Sequence, residues 1–361
     1  MKKLFKITAL AVAVALSMGI TASAFSDMPD GEMGTAMQNA VDAHLIEGID
    51  DNTIAPYANI TRAQMATILV RAFSASAMSD TTFPDVASDA WYAQSVSKAV
   101  AMGAFEGDDD GNFNPENNIT FQETYTVLSR MFGFEPYNVT YSSEDSIKSA
   151  YEYLNKNFGF TPYVAATTAP LTVLLGDCPD SVLDQFSDKG EIAGWAYNYA
   201  KYIVGNGGWQ GIDGKLKPTD YVTRGEFALI MDSIVETYID EPGEYKSLSD
   251  GLTMVRSGGV TIDGLNTDSN LIFTYGVDEK GCNVTNSNVN GVTLVLGGAD
   301  PTPEADSNGK LQPNESYISI EGKYYDLRIM APYILFNASG ATIGFAKGVS
   351  NSIISLGFLG G

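Results

Sequence analysis

Apolar side chains recur every three or four positions in three separated stretches of this chain. They run through Met65, Ile68, Leu69, Ala72 and Phe73, then Val127, Leu128, Met131 and Phe132, then Phe227, Ile230, Met231, Ile234 and Val235. That period marks one face of an α-helix. Each stretch is preceded by a threonine with Gln or Glu three residues on: Thr61 with Gln64, Thr120 with Glu123, Thr223 with Glu226. Such a pair satisfies orphan amides at a helix start, so the pattern predicts three capped amphipathic helices, each needing a neighbour to cover its apolar face. After Asp240 the period changes. Val260 and Ile262, then Val292, Leu294 and Leu296, alternate with other side chains among glycines and asparagines, which predicts short strands. The expected architecture is α+β and multidomain, a helical part followed by a small all-β part.

The helical part is repetitive. Three segments open with Phe25-Ser26-Asp27, Phe83-Pro84-Asp85 and Phe186-Ser187-Asp188. Eight or nine residues later stand Trp91 and Trp195 in the second and third, with Met33 in the first. Each segment then passes a glycine (Gly48, Gly107, Gly211) and an apolar residue ahead of a proline (Pro56, Pro115, Pro218), and reaches its threonine at the same distance from the proline. Self-similarity of this kind means one supersecondary unit used three times, with the units packing on one another.

This pattern resembles the S-layer homology family over residues 25–75, 83–134 and 186–240. The resemblance implies a pseudo-threefold bundle of helix-turn-helix units whose grooves bind a secondary cell-wall polymer, often a pyruvylated one, or a peptidoglycan-linked glycan. It also implies that other surface-layer proteins are partners. Arg62 and Arg224 follow the capping threonines, where a cation opposes the helix dipole, so helix stability does not account for them. Beside free amide donors, such an arginine would make a site for a carboxylate or phosphate. Trp91 and Trp195 could present an indole face to a sugar, or could fill the start of a helix. Asp27, Asp85 and Asp188 could accept from sugar hydroxyls, or could brace a turn. Phe121 stands where the second repeat would carry its arginine, so only the third repeat has both Trp195 and Arg224 in its own sequence.

Charge and targeting narrow the class. Lys2, Lys3 and Lys6 precede an uncharged apolar run from Ile7 to Ile20, and Ala22-Ser23-Ala24 supplies a cleavage pattern, so residues 1–24 read as an export signal. No later stretch has the roughly 18 apolar residues of a membrane span. The expected location is secreted, at the cell wall and surface layer. Of 21 basic and 44 acidic residues, removal of the three signal lysines leaves 18 against 44, a net charge of about -26. Nucleic acid is an unsuitable partner for such a chain.

Cys178 and Cys282, the only cysteines, set no disulfide framework, and either pairing or two free thiols is compatible with their spacing. His44, the sole histidine, falls in the apolar stretch Ala40 to Ile46 and reads as a structural helical residue. With one histidine and no placed carboxylate pair, no catalytic residue is identified, and no metal or cofactor is expected. The acidic turn Glu106 to Gly111 lacks the twelfth-position glutamate of a calcium loop, because Asn117 stands there. The expected reading is a surface protein, not an enzyme; an anchored wall or glycan hydrolase is the alternative. Residues 137–185 form an insertion with a helical pattern from Ile147 to Phe158 and a strand-capable run from Ala165 to Leu175, expected to pack on the bundle. Residues 250–361 form the β-rich tail, either a β-solenoid or a sandwich, with a loop at Asp300 to Asn308.

Overall fold

The computed structural model describes residues 25–141, 143–159, 164–166, 172–298, 304–305, 307, 311–312, 318–348 and 353–356. The expected export signal lies outside the described residues. The helices are α1 (Gly31–Asp42), α2 (Arg62–Ala72), α3 (Ala93–Ala101), α4 (Phe121–Met131), α5 (Glu144–Phe158), α6 (Tyr197–Gly205) and α7 (Arg224–Ile234). Each repeat contributes two helices, in the pairs α1 and α2, α3 and α4, α6 and α7, while α5 belongs to the insertion. The second helix of each repeat packs on the first helix of the next: α2 on α3, α4 on α6, and α7 back on α1. The ring therefore closes, and each apolar face is covered by a different repeat.

All three expected capping boxes form. The Thr61, Thr120 and Thr223 hydroxyls accept from the amides of Gln64, Glu123 and Glu226, whose side chains accept from the threonine amides in return. Just before these threonines the three repeat segments meet at the pseudo-threefold axis. The Ile60 amide donates to the Val222 carbonyl at 2.8 Å, Val222 to Ile119 at 3.0 Å, and Ile119 to Ile60 at 3.1 Å. This cyclic set of bonds is wholly buried, each residue at 0% exposure. The identical spacing from proline to threonine has its reason here, since one residue more or less would break the ring.

The strands are β1 (Tyr137–Thr140), β2 (Val164–Ala166), β3 (Thr172–Leu175), β4 (Val235–Ile239), β5 (Gly243–Lys246), β6 (Leu252–Val255), β7 (Val260–Asp263), β8 (Asn266–Thr267), β9 (Leu271–Phe273), β10 (Cys282–Val295), β11 (Glu304–Ala305), β12 (Leu311–Gln312), β13 (Ile318–Ile329), β14 (Leu335–Gly348) and β15 (Ile353–Leu356). From β4 onward every pairing is parallel except β11 with β12. Successive coils stack in register, with Val260 against Cys282, Cys282 against Ile318, and Ile318 against Phe336. This is a parallel β-solenoid, and the sandwich alternative is excluded. The asparagines of the tail stack from coil to coil: Asn288 Nδ2 donates to Asn266 Oδ1 at 2.6 Å and Asn290 Nδ2 to Asp268 Oδ1 at 2.8 Å. Part of the expected loop from Asp300 to Asn308 is strand β11.

The solenoid caps the bundle. Helix C-termini leave carbonyls without intrahelical donors, and buried solenoid side chains meet them. Arg256 Nη2 donates to the Ala43 carbonyl at 3.0 Å, Asn270 Nδ2 to Phe132 at 2.9 Å, and Arg328 Nη1 to Gly133 and Glu135 at 3.0 and 2.7 Å. Asp240 and Asp326 balance the two guanidinium charges. Leu252, Met254, Ile272 and Leu294 of the solenoid join the same hydrophobic core as the bundle helices, and α7 runs directly into β4.

The insertion divides: its helix and small sheet pack on the solenoid, while its last residues pack on the bundle as expected, with Asp177 2.9 Å from Lys201 Nζ of α6 and Leu183 buried in the bundle core. Tyr137 Oη donates to Asp326 at 3.1 Å and Tyr153 Oη to the Ile343 carbonyl at 3.0 Å. Leu154 and Leu175 bury against Tyr325. Its aromatic side chains meet residues of β13 and β14, a surface the sequence gives no means of locating. His44 also departs from expectation: α1 ends at Asp42, and His44 takes φ 56° just beyond it, as an exposed C-terminal turn residue.

Candidate functional site

The expected ligand residues divide between turns within a repeat, held by the aspartates, and junctions between repeats, bridged by the arginines. The three aspartates do the same local work. Asp27 accepts from the amides of Ile54 and Ala55 at 2.8 Å each, Asp85 from Phe113 and Asn114 at 2.9 and 2.6 Å, and Asp188 from Leu216 and Lys217 at 2.9 and 2.7 Å. The second residue of each pair stands before the proline with φ between 49° and 59°, as Ala55 (53°), Asn114 (58°) and Lys217 (51°). A non-glycine residue in that region is strained, and two carboxylate bonds hold it there. The Ile54 amide, followed by that of Ala55, holds the Asp27 carboxyl below the usual carboxylate range against a smaller opposing effect of burial. The aspartates thus brace turns. Each of their carboxylate oxygens accepts one backbone amide, which favours the turn-bracing alternative over the sugar-ligand one.

The arginines are staples between repeats. Arg224 Nε donates to the Ile54 carbonyl at 2.9 Å and its Nη2 to Glu47 at 2.6 Å, so the third repeat grips the turn of the first. Arg62 makes the equivalent bonds to Phe113 and Glu106 of the second repeat at 2.9 and 3.2 Å, with its guanidinium over the rings of Phe105 and Phe113. At the third junction, where Phe121 replaces arginine, the Tyr125 hydroxyl donates to the Leu216 carbonyl instead. Burial lowers the pKa of both arginines.

The expected free amides are absent. The amides of Arg62 and Ala63 donate to Asn117 and Pro115, and those of Arg224 and Gly225 to Ala58 and Pro56. An anion at these helix starts would have to be met by side chains.

Trp91 and Trp195 are 64% and 56% exposed, which removes the reading in which they fill the core. Trp91 sits edge-on to Tyr92 with ring centroids 5.3 Å apart. It borders a groove of about 440 Å³ together with Leu45 to Ile49, Gln64, Thr67, Arg71 and Arg224. All three repeats contribute: the first its turn and α2, the second Trp91, the third Arg224. The tryptophan and arginine that share this groove therefore come from different repeats, although only the third repeat has both in its own sequence. The operation that carries α2 and α3 onto α4 and α6 pairs Trp195 with Arg62, and leaves Met33 with Phe121 at the third junction.

Sequence reasoning did not find Arg71. It closes the groove with Nη1 donating to the Leu45 carbonyl at 3.2 Å and Nη2 at 2.9 Å from the Glu47 carboxylate, which is itself 74% exposed. In sequence it reads only as a basic residue in the last turn of a helix. Among the described residues no group of His, Cys, Asp and Glu is arranged to hold a metal ion. The Asp108 carboxylate of the acidic turn is taken up by the amides of Asp110 and Asn112 and by Asn114 Nδ2. Cys178 and Cys282 are both buried and unpaired. No described helix is long and apolar enough to cross a membrane.

The S-layer homology domain family matches residues 24–66, 82–124 and 185–228. Over 243 residues, 65% of its length, the chain is 28% identical to the Surface-layer 125 kDa protein of Lysinibacillus sphaericus, of which that covers 17%. Over 146 residues, 38% of its length, it is 32% identical to 13% of the Surface layer protein of Brevibacillus choshinensis. It is also 27% identical over 177 residues, 46% of its length, to 8% of an Amylopullulanase of Thermoanaerobacterium thermosulfurigenes. The chain thus spans less than a fifth of these relatives. The matched segments coincide with the three units that close the bundle, so the chain carries three domains of the S-layer homology family ahead of a parallel β-solenoid.

Proposed function

We propose that this secreted cell-surface protein is held non-covalently on a secondary cell-wall polymer carrying pyruvylated sugars, through the grooves at Trp91 with Arg224 and at Trp195 with Arg62. The observation that carries this reading is the exposed Trp91 beside two guanidinium groups in one groove. An indole face suits a sugar ring, and a fork of N–H donors suits a carboxylate. Arg224 spends two of its five donors on carbonyls. Arg71 is paired to an exposed carboxylate that water can take over when a ligand anion arrives. The likeness to surface-layer proteins supports the same reading. The third junction, with Met33 and Phe121, offers neither group, so two grooves serve the chain. The solenoid acts in structure, assembly or adhesion, with other surface-layer proteins as its partners, and not in catalysis.

The test is co-sedimentation of the full chain with purified wall sacculi. Because both indoles are exposed, Trp91→Ala with Trp195→Ala should leave folding intact and lower binding at least tenfold, as should mild acid removal of pyruvyl groups from the sacculi. Undiminished sedimentation of the folded double variant would overturn the groove mechanism.

A further inference from the structure

A second concave surface lies away from the arginine grooves, where the bundle, insertion and solenoid meet. A cavity of about 490 Å³ there is walled by Gly133, Gly176, Gly207 and Gly208 on one side and by the solenoid on the other. A neighbouring cavity of about 430 Å³ continues it, sharing Asp250, Asp268 and Asn290. Each falls within the range of small-molecule sites. Together they make a trough along the stacked asparagine and aspartate positions of the coils.

Three features separate this trough from a solvated acidic face. Its bundle wall alternates glycines with Phe134, Leu175, Asn206 and Ser233, so side chains enter it from that direction at only some positions. Its floor is rich in amides, with Asn266 and Asn288 in one stack and Asn290 above Asp268 in the other. Phe158, partly exposed, borders one cavity and is held in edge contact at 5.6 Å by the buried Tyr325, which lines the other. Amide side chains carry both donors and acceptors, as a sugar hydroxyl does, and an aromatic side chain offers an apolar surface to sugar C–H groups.

The charge distribution selects among sugars. Lys323 is committed to the Asn157 carbonyl at 2.9 Å, and Arg328 to Asp326 and two backbone carbonyls. Arg328 is neutralised by Asp326, and Lys323 is outnumbered by the exposed Asp250, Asp268 and Glu236 in a chain of net charge -23. Anionic polymers are repelled. We infer that the trough between bundle and solenoid binds a neutral glycan chain, at a site separate from the grooves of the repeats.

The experiment is calorimetric titration of the full chain with neutral β-1,4-linked hexasaccharides of glucose and of N-acetylglucosamine, beside an all-uronate hexasaccharide. Submillimolar binding of at least one neutral probe is expected, with none of the uronate. The Asp268→Ala and Asn290→Ala double variant should weaken it at least tenfold, whereas Trp91→Ala should not change it. Should that double variant lose cooperative unfolding, Asp250→Arg serves in its place, since it blocks the trough from an exposed position and should weaken binding by the same factor. Absence of binding by both neutral probes, binding that persists in the folded trough variant, or binding lost in Trp91→Ala would each overturn the assignment.

Discussion

Arg224→Ala separates a surface arginine from a staple. An exposed side chain can be truncated within about 0.5 kcal/mol. Arg224, however, is 7% exposed and bridges the third repeat to the first through the Ile54 and Glu47 carbonyls. Hydrogen bonds involving a charged group contribute about 1.5–3 kcal/mol each, which gives an upper figure of about 3–6 kcal/mol. Glu47 is exposed and its carbonyl can rehydrate, whereas Ile54 is fully buried. The expected loss is therefore about 2–4 kcal/mol. Arg224→Lys, which keeps the charge but not the fork, should fall between. Urea unfolding followed by circular dichroism gives the numbers. A folded Arg224→Ala protein within 0.5 kcal/mol of the parent, by the surface limit, would refute the stapling argument. Because the same residue lines the groove, loss of binding in this variant cannot be read without its stability, which is why the exposed tryptophans are the cleaner probes of function.

Further outcomes follow from other contacts. Burial raises the Cys178 thiol pKa and pushes that of Cys282 up to about 12, so neither should react with a disulfide reagent at pH 8 in the native protein and both should react in denaturant; rapid native labelling of Cys282 would contradict its place inside the coil. The Asp27 pKa is depressed in the folded state, so its contribution is present above the ordinary carboxylate value and is lost as pH falls through the folded one, below about pH 4. Asp27→Asn should flatten that acid limb of the urea midpoint, and parallel pH profiles would count against the turn brace. Residues 25–240 alone lose Arg256, Asn270 and Arg328, which satisfy helix C-terminal carbonyls, so this fragment should unfold at lower urea than the full chain; equal midpoints would show that the bundle does not need its cap.

Much of the architecture was legible because it is local or repeated. Thr61, Thr120 and Thr223 with their partners three residues on specify helix starts by bonds within one turn, and the constant spacing from proline to threonine announced three equivalent units. The strands at Val260 and Cys282 to Val295 were legible as strands, but their parallel stacking was not. Alternation along one strand is the same in a sandwich and a solenoid; only the register of Val260 with Cys282 and of Ile318 with Phe336 decides between them.

The site divides in the same way. Sequence alone picked out Arg62, Arg224, Trp91 and Trp195 as residues at recurring positions, and it fixed the acidic charge that makes each cation count. Tertiary structure decided that Arg224 meets Trp91 and not Trp195, that Arg71 joins them, and that the aspartates face backbone amides. The reason is the closure of the ring. Because α2 packs on α3 and α7 on α1, the Trp91 groove is assembled from three repeats, and a pattern read within one repeat cannot state which neighbour will complete it.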